Sequence, residues 1–419
     1  MTRRGSLLTV LGPDFTIAAV VGGTIGLGIL RTPGEVAARI GTPLLLFVAW
    51  TIGGLYTLLG AIPFLELARF APQAGGPFVY ARRAFGRYGG FLIGWCDWIQ
   101  CAAVIAVLAS VTGEIAARGL DGYARTVAGV VVLALTFLQW RGLRVSSNAE
   151  KIMSTAKVIG LLALIVGCFL YDGPPAAPIP HAPITLNGIV VALQMVVATY
   201  AGWHGAIYFA EEQSDGGRSM PRAVIGGLAV VTAMYLLVNA AFLSALGMPR
   251  LMQSSFPATD VASLAFGNAG GVAVMVVMLV ALLNVTHTLL LAATRVLFAL
   301  GRDGLFTGRA ATVNDRGTPT TALLITAAIA LILSTTATFS RVVGIASILT
   351  VIVYAACFAA ALRLRATRHP VITTIVLLGS IAFLIGAAAA DTSSALGAAA
   401  LGLISLPAYW ITVRRSVHA

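Results

Sequence analysis

The feature that most constrains this chain is a succession of apolar runs, each close to or above 20 residues, separated by short segments that hold nearly all the charge. A helix needs roughly 20 apolar residues to cross a bilayer, and these runs are continuous rather than alternating. That selects spanning helices over a barrel. Spans are predicted at 14–39, 43–69, 89–117, 123–140, 148–171, 187–212, 222–246, 271–299, 319–339, 342–362, 371–390 and 393–413. Only 10% of the chain is charged and 58% is hydrophobic, whereas a soluble domain is about 25% charged. The expected fold class is an all-α membrane protein of 12 transmembrane helices, one domain over residues 1–419.

The formal charge of +12 would raise the question of nucleic acid in a soluble protein, and here the placement of the charges answers it. With the amino terminus in the cytoplasm, 20 of the 27 basic residues fall on the cytoplasmic side, 6 fall outside, and Lys157 lies within a span. The positive-inside rule then puts both termini in the cytoplasm of a multi-pass inner (plasma) membrane protein. The bilayer is the expected partner, and nucleic acid is not. Arg3 and Arg4 before an apolar run imitate a secretory signal, but the first span is too long and Gly-rich, so it reads as a retained helix. Cys96, Cys101, Cys168 and Cys357 lie in apolar spans without a CxxC pair and read as core residues. The larger extramembrane pieces, around Gly173–Pro183 and Gly247–Gly270, are too short to fold alone, so the chain must act inside the bilayer or at its faces.

Two spans are interrupted at mid-length. The first reads Val21-Gly22-Gly23-Thr24-Ile25-Gly26-Leu27-Gly28, and the sixth Thr199-Tyr200-Ala201-Gly202-Trp203-His204-Gly205. Glycine costs about 1 kcal/mol against alanine in a helix, so four glycines in seven positions predict that regular helix stops there. Unwound backbone at membrane depth survives where protein or a water-filled cavity covers it. Spans one and six are five apart, as expected for two inverted repeats, 14–171 and 187–362, with accessory helices over 371–413. Gly-interrupted spans at matching places in two halves point to a transporter's binding site. The alternative is that these glycines only permit close helix packing.

The run Pro72-Gln73-Ala74-Gly75-Gly76-Pro77-Phe78-Val79-Tyr80, then Phe85-Gly86 and Gly90-Phe91-Leu92-Ile93-Gly94-Trp95, resembles the loop after helix 2 of the amino acid–polyamine–organocation (APC) permeases. Three further segments are similar to that family. They are Gly26 to Leu30 with Thr32-Pro33; Gly202-Trp203 with Glu211-Glu212 and Arg218-Ser219-Met220-Pro221; and Thr294 to Ala299 with Arg302-Asp303-Gly304, Asn314 and Pro319. They stand in family order over residues 14 to about 362. The helix-6 pattern most resembles bacterial neutral amino-acid exchangers and the light subunits of animal heteromeric transporters. The resemblance implies ten core helices in two inverted repeats plus helices 11 and 12.

A free amino acid presents a carboxylate and an ammonium, which suit the exposed N–H groups of a helix start and the exposed C=O groups of a helix end. By position in the resembled family, the amides of Gly26, Leu27 and Gly28 should hold the carboxylate. The carbonyls of Thr24, Ala198 and Ala201 should hold the ammonium. Relatives commonly have Ser or Thr at Leu27 and a bulky aromatic at Ala198. The missing aromatic implies a larger substrate or a gate formed by Tyr200 or Trp203, both of which could equally be packing residues. His204 stands where relatives carry Asn, Asp or Glu; it could bond a substrate side chain, sense protons, or be a satisfied core histidine. With no acid there, a cationic substrate would lack a partner.

Lys157 is costly inside a span. In sodium-independent relatives a lysine here fills the place of a sodium ion, which predicts sodium independence, with the carbonyls of Gly22 and Ile25 and a polar group of helix 8, Asn284 or Thr286, as partners. Proton coupling through Lys157 is open, and snorkelling to the surface is the alternative. Arg31 is a candidate outer gate without an acid on helix 10, and Glu211 with Glu212 a candidate inner gate near Arg218 and Arg222. Glu66, Asp97 and Glu114 are intramembrane acids that arginines such as Arg69 or Arg118 would pair. Gly26-Leu27-Gly28 follows no strand and is not a dinucleotide fingerprint. No nucleophile–base pair or metal cluster is seen, so neither an enzyme nor a cofactor is expected. The sequence reads as a permease for a neutral amino acid, working without sodium by proton symport or exchange. An amino-acid sensor, or a carrier of cationic amino acids or polyamines, is the alternative.

Overall fold

The computed structural model describes residues 3, 4, 6–117, 122–171, 173, 184–336 and 339–417. Arg118 and most of the Pro-rich stretch before residue 184 lie outside them. The helices are α1 (Pro13–Thr24), α2 (Gly28–Ile40), α3 (Pro43–Phe70), α4 (Pro77–Ala116), α5 (Ala124–Trp140), α6 (Leu143–Leu170) and α7 (Leu186–Thr199), then a 3-10 segment (Trp203–Glu212). They continue with α8 (Met220–Gln253), α9 (Pro257–Arg302), α10 (Thr320–Thr336), α11 (Phe339–Arg363), α12 (Pro370–Ala390) and α13 (Thr392–Val417).

Proline sits in the first turn of α1, α3, α4, α8, α9 and α12, where its missing N–H costs nothing and its fixed φ suits a helix start. Thr42 and Thr185 cap α3 and α7 by accepting from Leu45 N and Gly188 N. Among the described residues, nine helices are long and apolar enough to cross a membrane, or ten if the bent pair α1 and α2 is one span. The chain is a multi-pass membrane protein.

The residues after helix 2 are not loop, as the motif there suggested. Residues 77–85 are helical, and α4 kinks at Gly86, whose φ of 80° only glycine tolerates well. The segment 248–266 likewise forms two helical pieces on either side of 254–256 rather than irregular chain, with α8 kinked at Gly247 and α9 at Gly267. The only strands among the described residues, β1 (Arg3–Arg4) and β2 (Thr312–Val313), pair antiparallel and tie the chain start to the connection before α10.

α1 is central, packed against α6, α8, α9 and the 3-10 segment, while α2 packs against α7 and α8. Leu133 and Phe137 of α5, Ile152, Ile159 and Val166 of α6, and Leu378 and Ile385 of α12 are exposed. Apolar faces of that extent suit lipid rather than water. The least buried spans, α12 and α13, lie at the edge.

Candidate functional site

α1 stops at Thr24 and α2 restarts at Gly28, with the two bent by 43°. α7 stops at Thr199 and the 3-10 segment starts at Trp203, after Gly202 at φ 108°. The two breaks touch through bare backbone: a Cβ built on Gly23 would lie 2.7 Å from the Gly202 carbonyl oxygen, and one on Gly202 would overlap the Gly23 carbonyl. Thr24, Gly26, Leu27, Gly28, Ala198 and Ala201 are therefore gathered around one crossing. No side chain caps α2, so the amides of its first turn meet no side-chain acceptor. Leu27 is half-buried, and Ala198 and Ala201 are exposed.

Tyr235 of α8, not singled out from the sequence, ties the carbonyl ends together. Its hydroxyl lies 2.9 Å from Thr24 O and 3.1 Å from Thr199 O, so one proton is shared between the last carbonyls of α1 and α7. Ala198 O accepts from Ala201 N at 3.2 Å and also faces the Tyr200 N–H. Tyr235→Phe would keep the ring against Trp50 and Tyr200 and lose one hydrogen bond, worth about 1 kcal/mol. Uptake in proteoliposomes is expected to fall about fivefold; an unchanged rate would show that the hydroxyl does not hold the breaks together.

Tyr200 is fully buried, donating to Trp50 O at 3.1 Å. Trp203 packs edge-on against Phe64 with ring centroids 5.3 Å apart. His204 Nδ1 lies 2.6 Å from the Tyr354 hydroxyl of α11, so one ring nitrogen is engaged by the protein.

Lys157 is 1% exposed and does not snorkel. Its ammonium donates to Gly22 O and Ile25 O, each at 2.7 Å, on the unwinding end of α1. The helix-8 partners expected for it bond elsewhere. Asn284 donates to Glu150 Oε1 at 2.9 Å, and Thr286 donates back to Leu282 O at 2.7 Å. Glu150 draws Asn284 away because it is a fully buried carboxylate whose oxygens need donors: Thr288 also donates to Oε1 at 2.7 Å, and His287 Nδ1 lies 2.8 Å from Oε2. Glu150 and His287 were missed because an acid beside Lys151 at a span's start, and a histidine amid Asn and Thr, give no periodic signal.

The remaining charges differ from expectation in their partners. Arg31 pairs with Glu35 on its own helix at 3.1 Å and is 57% exposed. Glu211 and Glu212 meet neither Arg218 nor Arg222. Glu211 accepts from Arg302 at 2.8 Å and from Ala74 N. Glu212 takes a two-pronged bond from Arg295 at 2.9 and 3.0 Å, both residues buried. The 3-10 segment directs both acids at α9, while Asp215 turns the following loop by accepting from Gly217 N and Ser219 N. Beside these pairs, Leu11 N donates to Glu212 O and Ser214 N to Leu11 O, tying the segment before α1 to the end of the 3-10 segment. Glu66 accepts from Arg368 N rather than Arg69, and Asp97 accepts from Tyr208 at 2.8 Å and from Gln100. Glu114 lines a cavity with Arg125.

A helical multi-pass membrane protein with two broken helices crossing at its centre is the class that this architecture defines. The chain belongs to the amino acid permease family of the APC superfamily, whose model matches residues 15–407, and it is a transporter rather than an enzyme. It is 26% identical to a serine/threonine exchanger of Bacillus subtilis over 98% of each chain. It is 29% identical to an uncharacterized transporter of Mycobacterium tuberculosis over 93% of this chain and 88% of that one. It is 24% identical to the human large neutral amino acids transporter small subunit 2 over 83% of this chain and 68% of that one.

Proposed function

We propose that this permease moves a neutral L-amino acid by alternating access, without sodium, as proton symport or exchange. The observation that carries the reading is the crossing of the two breaks. It sets uncapped amides at the start of α2 opposite carbonyls at the ends of α1 and α7, a pairing that suits the carboxylate and ammonium of one zwitterion. In this reading Gly26, Leu27 and Gly28 take the carboxylate and Thr24, Ala198 and Ala201 the ammonium, with Trp203 and His204 beside the side chain and Tyr200 bracing the break. The nine long apolar helices, the bent pair and the two 17-residue helices α5 and α10 supply twelve spans, arranged as repeats 14–171 and 187–362 with α12 and α13 appended. The positive-inside charge pattern puts both termini in the cytoplasm. The ion pairs of Glu211 and Glu212 then close the cytoplasmic end, while exposed Ala198 and Ala201 leave the site open elsewhere. Substrates of the serine/threonine and large neutral classes, named for the relatives, fit the absence of an acid at His204.

Counterflow of labelled serine, threonine, leucine and arginine in proteoliposomes, with and without sodium, tests this. Neutral amino acids are expected to exchange equally in sodium and in choline. Binding without movement would make the protein a sensor, arginine as best substrate would overturn the neutral class, and a rise with sodium would end the sodium-independent reading.

A further inference from the structure

Between α6 and α9 lies a buried polar cluster that the substrate site does not use. Glu150 and His287 are both 0% exposed, and three donors hold the carboxylate: Asn284 Nδ2, Thr288 Oγ1 and His287 Nδ1. With Nδ1–H bonded to Glu150, the imidazole keeps its second nitrogen free, and Nε2 is buried without any hydrogen-bond partner. A second orphan lies on the adjoining residue: Gln139 of α5 donates its amide to His287 O at 2.9 Å, yet its own Oε1 is buried without a partner. Orphaned buried polar atoms are rare and call for a reason. Here one is a basic lone pair, and the residue bonded to the His287 backbone carbonyl carries an unused acceptor.

The cluster also bears on the helix that breaks. Ser154, one turn beyond Glu150 on α6, donates to Ala18 O of α1 at 2.8 Å and to Asn284 Oδ1 at 3.1 Å. Gly22 of α1 lies directly over it: a Cβ there would stand 2.9 Å from Asn284 Oδ1 and overlap Glu150 Oε1 and Ser154 Oγ. Bare α1 backbone is thus the lid of the cluster. Next to Glu150, Lys151 pairs with Asp14 of α1 at 2.9 Å, and Asp14 is 63% exposed. Moving α1 would uncover Glu150 beside the partly exposed Lys151.

Of the other charges on the surrounding helices, Lys157 sits on the α1 carbonyls within reach of the Glu150 charge, Arg295 of α9 pairs with Glu212, and Asp97 of α4 accepts from Tyr208 through Oδ1 while its Oδ2 is buried without a partner. The facing lengths of α5 and α10 carry no charged side chain, and Tyr235 is the ionisable side chain of α8 nearest the α1 break.

We propose that Glu150 and His287 form the proton-binding site through which this permease couples amino-acid movement to a proton, His287 Nε2 taking the proton and Glu150 holding the resulting imidazolium. The proposal rests on the proton-coupled reading above. Bound proton turns the single negative charge of the pair into an ion pair without net charge, which a low-dielectric site tolerates better than a lone charge. It also turns the orphan nitrogen into a donor. Because α1 forms the lid, binding and release depend on which way the carrier faces.

The test measures initial uptake of a labelled mixture of neutral L-amino acids into proteoliposomes, with and without an inward proton gradient, as the ratio of the two rates. A pH dye trapped inside reports proton entry. The wild-type ratio is expected to be severalfold, with dye acidification on adding substrate. His287→Asn keeps an amide donor near Glu150 but cannot bind the proton, and it should bring the ratio to about one without substrate-driven acidification. Glu150→Gln should do the same, and if that variant fails to fold, His287→Asn decides alone. A wild-type ratio above one that persists in His287→Asn would overturn the site while leaving proton coupling intact. A wild-type ratio of one would remove the coupling itself, and the site with it.

Discussion

Gly202→Ala is expected to abolish uptake while the protein still inserts and purifies as a monodisperse species. Two costs fall on one atom. Gly202 sits at φ 108°, where a Cβ costs roughly 1–2 kcal/mol. That Cβ would also overlap the Gly23 carbonyl and stand 2.8 Å from the Gly23 carbonyl carbon. The neighbour is backbone, not a flexible side chain, so relief requires the two breaks to part, and overpacking of this kind adds about 1–3 kcal/mol. Spread across the site, such a shift misplaces the amides of α2 against the carbonyls of α7, and displacements near 1 Å can cost about a hundredfold in rate. Gly226→Ala is the matched control. It lies inside α8 with open space around the added methyl, and alanine is the better helix former by about 1 kcal/mol, so uptake should be unchanged. Wild-type uptake by Gly202→Ala would show that the crossing of the breaks is not the working part.

That contact explains why the breaks were legible in the sequence. Gly22, Gly23, Gly26 and Gly28 interrupt an apolar run where helix propensity is otherwise high, and at Gly22, Gly23 and Gly28 an added Cβ would crowd the Glu150 cluster, the Gly202 carbonyl and Thr199. The nine long apolar helices and the bent pair were legible for the same kind of reason, since each must satisfy the same thickness of hydrocarbon. Lys157 was readable because an ammonium in an apolar helix must find oxygen, and the unwinding end of α1 supplies it. What escaped depends on contacts between distant segments. Tyr235 is one aromatic among many until the fold sets it between two carbonyl ends. Glu150 reads as a solvated acid beside Lys151 until Gly22 opposite makes room to bury it. The partners of Glu211 and Glu212 were misjudged because Arg218 and Arg222 are near in sequence, while the 3-10 segment turns both acids toward Arg295 and Arg302. Residues 77–85 passed for loop because Gly75, Gly76 and Gly86 flank them, and two of those glycines end the chain's turns rather than the helix between them.

Lys157→Ala should reduce uptake about a hundredfold or more, and Lys157→Arg should fail to restore it. The ammonium is 1% exposed and bonded at 2.7 Å to both Gly22 O and Ile25 O. Truncation leaves two buried carbonyls at the end of α1 without that partner, each costing about 1–3 kcal/mol. α1 responds by shifting or by admitting water, and in either case Thr24 and the glycines that follow lose their position. Arginine keeps the charge but not the shape. Its planar fork cannot place a compact charge between two carbonyls that converge on a single ammonium, so charge alone should not rescue. The same geometry bears on cations in solution. With the ammonium already occupying the oxygens of the α1 end, sodium has no coordination to gain there, and wild-type uptake should be equal in sodium and choline media. If Lys157→Ala kept wild-type uptake, the ammonium would be a packing device alone, and the end of α1 would have to be held by Tyr235 and the Gly23–Gly202 contact without it.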